Sequence, residues 1–177
     1  MRHVEASSRH ALASDPEVVA LILGDLEATR ALAGRIAALA RRGDVIGLTG
    51  PLGAGKTVFV RDFIRARAAM LQAPAPGEVP SPTFTLVQVY ELPQAAVWHI
   101  DLYRLETPDE AWELGIEEAF GEGIALIEWP ERLGPLLPAG RLEVDLRFVK
   151  GPPQARRARL SGHGAWARRL REARLGG

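Results

Sequence analysis

Residues 50–57 read Gly-Pro-Leu-Gly-Ala-Gly-Lys-Thr, a run whose residue types suit a chain of phosphates. Gly50, Gly53 and Gly55 permit backbone conformations and close approach that a Cβ would obstruct. Successive N–H groups around Leu52, Gly53 and Ala54 can then turn toward phosphate oxygens. Lys56 adds a point charge for the β- and γ-phosphates, and Thr57 adds a hydroxyl for Mg²⁺. The run fits G-x-x-x-x-G-K-[ST], a nucleotide-binding pattern that leaves the fate of the nucleotide open.

Hydrolysis needs further groups: an acid for the hydrated metal, and something to orient water or another acceptor. Two carboxylates stand at the ends of apolar runs, Asp101 after VWHI and Glu128 after IALI. Strands of one sheet bring such ends to the edge that carries the loop, although a carboxylate at a strand end is also ordinary surface. His99 shares a strand face with Asp101. It either polarises a phosphate, orients the acid or is a satisfied structural histidine. Tyr103 continues that alternation, and Arg104 turns to the other side, toward phosphate, a partner or a neighbouring carboxylate. In SPTFT, Ser81, Thr83 and Thr85 offer hydroxyls that sense a terminal phosphate or simply cap a turn. Trp129 packs against nucleotide or closes the core.

The chain contains no asparagine, so the Asn-Lys-x-Asp guanine-reading element is missing and ATP is the favoured nucleotide. After Arg67 the next arginines are Arg104 and Arg132. That spacing offers no arginine-rich lid, which weighs against a small-molecule kinase without removing it. An ATP-gated interaction module is the non-enzymatic alternative.

The elements that must position these groups can be read from periodicity. Residues 25–42 form an amphipathic helix with Arg41, Arg42 and Gly43 at its end. VIGLT (45–49) is a strand feeding the loop, and a buried helix starts at Lys56 and turns Phe59, Phe63 and Ile64 inward. The proline-rich run 73–80 is a loop. Strands over 83–90 and 97–103 are separated by six residues, too few for a parallel crossover, so they pair antiparallel. Thr107, Pro108 and Glu110 start a helix that runs to about Phe120. A strand follows at 124–129, then a hairpin of 141–149 with 156–160, then a basic helix near 164–175. The expected fold is α/β: a P-loop NTPase-like three-layer sandwich with a mixed, mainly parallel sheet and antiparallel hairpin additions. The domain spans 21–162, with a flexible extension at 1–20 and a basic helix or tail at 163–177.

Composition sets the outer bounds. At 177 residues and 47% hydrophobic, the chain supports one core rather than two. Twenty-two basic and 22 acidic residues give no global attraction to nucleic acid or membrane. The distribution is uneven, with ten acidic residues and only Arg104 basic in 101–131, against nine basic residues and only Glu172 acidic in 147–177. There is no cysteine, which removes disulfides and zinc–thiolate sites. No apolar run reaches the roughly 18 residues of a membrane span and no charged leader precedes one, so a cytoplasmic location is expected.

In order, GPLGAGKT, SPTFTLVQVY, HIDLYRL, ELGIEE and LIEWPE closely resemble the TsaE (YjeE) family, the bacterial ATPase component of tRNA threonylcarbamoyladenosine synthesis, over about residues 24–149. The resemblance implies weak intrinsic ATP hydrolysis with Mg²⁺, in support of the TsaB and TsaD proteins. TsaD transfers the threonylcarbamoyl group to adenosine 37 of tRNAs reading codons that begin with A; the TsaE-like chain does not. It further implies that Asp101 serves the metal and that Glu128 is required for efficient hydrolysis. Trp129 lies near the nucleotide, Ser81, Pro82, Thr83 and Phe84 form a switch-like segment, and Thr29 lies on the adenine side. Pro51 replaces the acidic residue usual in the family loop. Any contact of the basic C-terminus with tRNA is expected to be peripheral, since Trp166 is its one aromatic residue.

Overall fold

The strand that feeds the glycine loop, β2 (Val45–Thr49), lies in the middle of a seven-stranded sheet in a computed structural model that describes residues 16–175. It pairs in parallel with β5 (Ile124–Glu128) on one side and with β6 (Leu142–Phe148) on the other. Beyond β5 comes β4 (Val97–Asp101), again parallel. Antiparallel strands finish both margins: β3 (Val87–Tyr90) on β4, and β7 (Arg156–Gly162) then β1 (Glu17–Leu23) beyond β6. The mixed sheet is thus parallel at its centre and antiparallel at its flanks, and the short β3–β4 and β6–β7 connections require the antiparallel pairing there.

Alternation along the central strands sends Ile46, Leu48, Leu126 and Val144 to one face. There they meet α1 (Leu26–Leu39), α2 (Lys56–Met70) and α4 (Ala165–Ala173) through Ile36, Phe59, Phe63 and Trp166. Val45, Ala125 and Ile127 point the other way, onto a 3₁₀ segment (Pro108–Leu114), α3 (Ile116–Gly121) and a second 3₁₀ segment (Pro130–Leu136). Covering both faces of the parallel centre makes three layers. No helix among the described residues is long and apolar enough to cross a membrane.

Several expected boundaries move. Residues 17–20 belong to β1, so the flexible extension does not reach residue 20; residues 1–15 lie outside the described ones. EVVALIL hides its strand because Val18 and Ile22 are apolar yet exposed, which erases the alternation of polar and apolar positions. Strand β3 begins at Val87, not residue 83, since Thr83–Thr85 form a turn closed by Leu86 N–H donating to the Pro82 carbonyl at 2.7 Å. The helix expected over 107–120 keeps its capping box but breaks at Gly115, whose φ of 77° belongs to the left-handed region. Of the helix or tail expected at the basic end, the helix is what forms, α4, and its Trp166 and Leu170 are core residues.

Helix α1 also ends differently, at Leu39 rather than in the Arg41–Arg42 turn. Its terminal carbonyls are met by buried arginines from elsewhere. Arg67 Nη1 donates to the Ala37 and Ala40 carbonyls at 3.0 and 3.2 Å, and Arg169 Nη1 to the Leu39 carbonyl at 2.8 Å. Arg169 also forms a bidentate pair with Asp44, both bonds 2.6 Å. Its guanidinium lies 4.0 Å from the Trp166 ring centroid. Arg169→Ala would leave Asp44 buried without its cation, at an expected cost of about 3 kcal/mol. Chemical denaturation measures this directly, and a loss below about 1 kcal/mol, the range of exposed pairs, would show that the pair adds little.

Candidate functional site

The loop between β2 and α2 is held open by close backbone packing. A Cβ on Gly50 would lie 2.2 Å from the Leu146 carbonyl oxygen, so no side chain fits there. Gly55 N-caps α2 at φ 108° and offers no side-chain cap to the first helical N–H groups. Those donors and the helix dipole favour an anion at that point. Lys56 is buried and bends back over the loop, its Nζ donating to the Gly50 and Pro51 carbonyls at 2.8 and 3.0 Å. Burial pushes its pKa below the usual 10.5, while Glu128 and Asp101 pull it back up.

The β4–β5 register sets Asp101 directly beside Glu128. Both carboxylates are buried. Thr57 Oγ1 donates to Glu128 Oε1 at 2.8 Å, and His99 Nε2 contacts the same oxygen at 2.9 Å. Because a carboxylate only accepts, Nε2 is the donor of that pair; His99 Nδ1 is buried with no partner among the described residues. Asp101 is held from two other directions, by Ser81 Oγ at 3.0 Å and by the Tyr103 N–H at 3.1 Å. Thr83 Oγ1 donates in turn to Ser81 Oγ at 3.1 Å, so the 81–85 turn is wired to the acid.

These groups enclose a cavity of about 300 Å³. Leu52, Gly53, Gly55, Lys56 and Thr57 form the loop wall, Ser81, Thr83, Asp101 and Tyr103 the opposite wall, and Glu128 and Trp129 a third side. Trp129 adopts φ 60° and ψ 49°, a strained conformation for a bulky residue, and its ring centroid lies 4.1 Å from Lys56 Nζ. The Tyr103 ring stands 5.2 Å from it. The donor set fits a magnesium-bound triphosphate: oxygen ligands on Thr57, Asp101 and Glu128 beside an amide-lined loop and a lysine. No group of three His, Cys, Asp or Glu side chains able to hold a metal occurs among the described residues. Magnesium suits such a site, because it keeps water and substrate oxygens in its shell.

Thr29 and Arg104 do not line this cavity. Thr29 is buried in α1 and donates to the Asp25 carbonyl of its own helix at 3.2 Å; it is not part of the cavity wall. Arg104 lays its guanidinium 4.7 Å from the centroid of the exposed Phe84 ring, likewise off the wall. His99 sits behind the wall, reaching the site through Glu128. Unforeseen is Arg156, whose Nε donates to the Ala54 carbonyl at 2.9 Å. Nothing local in the sequence signals a contact across that separation.

Comparison with known proteins points to one family. The family described as threonylcarbamoyl adenosine biosynthesis protein TsaE matches residues 23–158. The tRNA threonylcarbamoyladenosine biosynthesis protein TsaE of Aquifex aeolicus is 46% identical, over 65% of this chain and 79% of its own. Its namesake from Rickettsia bellii is 39% identical, over 72% of this chain and 85% of its own. A crystal structure of Bacillus subtilis YdiB superposes with a TM-score of 0.69 at 28% identity, covering 89% of this chain and 95% of that one.

Proposed function

The chain belongs to the TsaE family of threonylcarbamoyl adenosine biosynthesis proteins, and on that premise we propose that it binds and hydrolyses ATP with Mg²⁺. In this reading it supports the TsaB and TsaD proteins as they modify adenosine 37 of tRNA, and it does not transfer the threonylcarbamoyl group. One observation carries the reading: Thr57, Glu128 and His99 form a bonded set beside Asp101 at the mouth of the glycine loop.

Each side chain has a distinct task. The loop amides and Lys56 bind and orient the phosphates; to do so Lys56 exchanges its carbonyl partners for phosphate oxygens. Thr57 and Asp101 would hold magnesium, which neutralises charge on the β- and γ-oxygens when bound. Glu128 orients the attacking water and accepts its proton, and His99 fixes the carboxylate for that purpose. Ser81 and Thr83 couple the position of Asp101 to the 81–85 turn. A partner that settles this turn completes the site, so hydrolysis by the isolated chain is expected to be weak.

Phosphate release tests the reading. Hydrolysis by the purified chain should be slow, should stop when magnesium is chelated, and should rise when TsaB and TsaD are added together. A rate that ignores chelation and both partners would defeat it. Transfer of label from ATP to a metabolite would make the chain a kinase instead.

A further inference from the structure

Strand β1 forms one margin of the sheet, and among the described residues nothing pairs with its outer side. Sheet margins are normally guarded by shortness, proline, a bulge or an inward charge. The opposite margin, β3, has only four residues. β1 has seven, EVVALIL, without proline, and its register with β7 runs unbroken from Glu17 to Leu23. It thus offers a regular row of backbone N–H and C=O groups to a further strand.

The side chains around that row define what such a strand should carry. Val19, Leu21 and Leu23 pack into the core that holds α4, so Val18, Ala20 and Ile22 lie on the other face. Val18 and Ile22 are 44% and 68% exposed, with the small Ala20 between them. In β7, Arg159 stands opposite Ala20 and Arg157 opposite Ile22, both exposed. Ala20 is too short to bar Arg159 from reaching across it to the margin. Asp145, which faces Arg159 from β6, is already engaged by Thr49 and Arg147. Toward α4, a groove of about 430 Å³ beside β1 is flanked by Arg171 and Arg174. Glu17 is the one acid of the strand, and it meets Arg171 at 3.2 Å. No ion pair among the described residues engages Arg157, Arg159 or Arg174.

We propose that β1 receives an extended acidic segment of a partner protein as an added strand, one that alternates apolar, acidic and apolar residues along the face of Val18, Ala20 and Ile22. The apolar residues pack on Val18 and Ile22, and the carboxylate over Ala20 meets Arg159. Main-chain pairing supplies affinity, and the arginines select the acidic sequence. A second copy of this chain fits less well, because joining two β1 margins crowds the arginines of both copies around a joint whose strands carry no acid but Glu17. Nucleic acid fits less well too: β1 and β7 contain no aromatic ring on which a base could stack, and aliphatic side chains occupy the margin.

The test is binding of the fluorescein-labelled peptide SSVTETVSS to the full chain, read by anisotropy and by amide shifts in nitrogen-15 spectra. The peptide should bind with its shift changes centred on β1, and the counterpart SSVTKTVSS should bind about tenfold more weakly, the scale of one charge contact reversed. Arg159→Glu should invert that preference, which an arginine with a purely structural role would not do. Ile22→Lys should weaken the glutamate peptide by removing its apolar seat. Absence of saturable binding up to about 1 mM peptide overturns the proposal. So do shift changes centred away from β1, and a preference that Arg159→Glu leaves intact. A parent dimer that Ile22→Lys dissociates in sedimentation gives the margin to a second copy and overturns it. Binding of tRNA that Arg159→Glu abolishes, with no binding of the glutamate peptide, gives the face to nucleic acid and overturns it as well.

Discussion

Glu128→Gln is expected to bind ATP within a few-fold of the parent and to hydrolyse it about 10²–10⁴-fold more slowly, the range attributed to a positioned general base. The amide keeps an oxygen for Thr57 and His99, so the bonded set retains its shape. It loses the capacity to take a proton. Calorimetric titration with ATP and single-turnover phosphate release separate the two effects. In a reconstituted tRNA reaction with TsaB and TsaD, the variant should support at most one round and then stall. Parent-level hydrolysis by Glu128→Gln would remove Glu128 from the chemistry and leave it as a brace for Thr57.

Lys56→Ala is expected to lose roughly 3 kcal/mol of ATP binding, about a hundredfold in Kd, because a buried charge that meets phosphate has no substitute in the loop. Its effect on the free protein carries a separate signature. Burial depresses the lysine pKa below 10.5, so between the folded and unfolded values the folded state binds fewer protons. The charged form penalises folding below that window, and the penalty relaxes as pH rises toward 10.5. Relative to the alanine variant, the parent should therefore gain thermal stability from neutral to alkaline pH. ATP added at a few times the parent's Kd should raise the parent's Tm at neutral pH and leave the variant's almost unmoved. A variant that the same ATP concentration stabilises as much as the parent would refute the assigned role of Lys56.

The parts of the site that sequence disclosed are those with local cause. The glycine loop, its lysine and the two strand-end carboxylates are each defined by a few neighbouring residues, and all of them except Gly50, Pro51 and Ala54 form the cavity wall. What stayed hidden depends on separation along the chain. His99 looked equally suited to the core, and only the β4–β5 register shows that its ring serves Glu128. Thr29, which the resemblance puts on the adenine side, and Arg104, which alternation turns away from Asp101, do not wall the cavity beside the loop; the packing of α1 and of the 81–85 turn sets where those side chains end. In the fold, hairpins followed from short connections. The Asp44–Arg169 pair joins residues 125 positions apart, and Arg67 crosses between helices; no window of sequence carries either. Gly115 shows a milder case, since a glycine inside a helical pattern is tolerated often enough that the break was not predicted.

The anchoring of α1 by Arg169 has a temporal side. Arg67 leaves the ribosome soon after α1 and can meet the Ala37 and Ala40 carbonyls early, whereas the Leu39 carbonyl and Asp44 wait for Arg169, 125 residues further on than Asp44. The last anchor of α1, beside the strand that feeds the phosphate loop, is thereby tied to the arrival of α4. A nascent chain arrested before Arg169 should remain protease-sensitive around α1, and full protection should arrive in one late step.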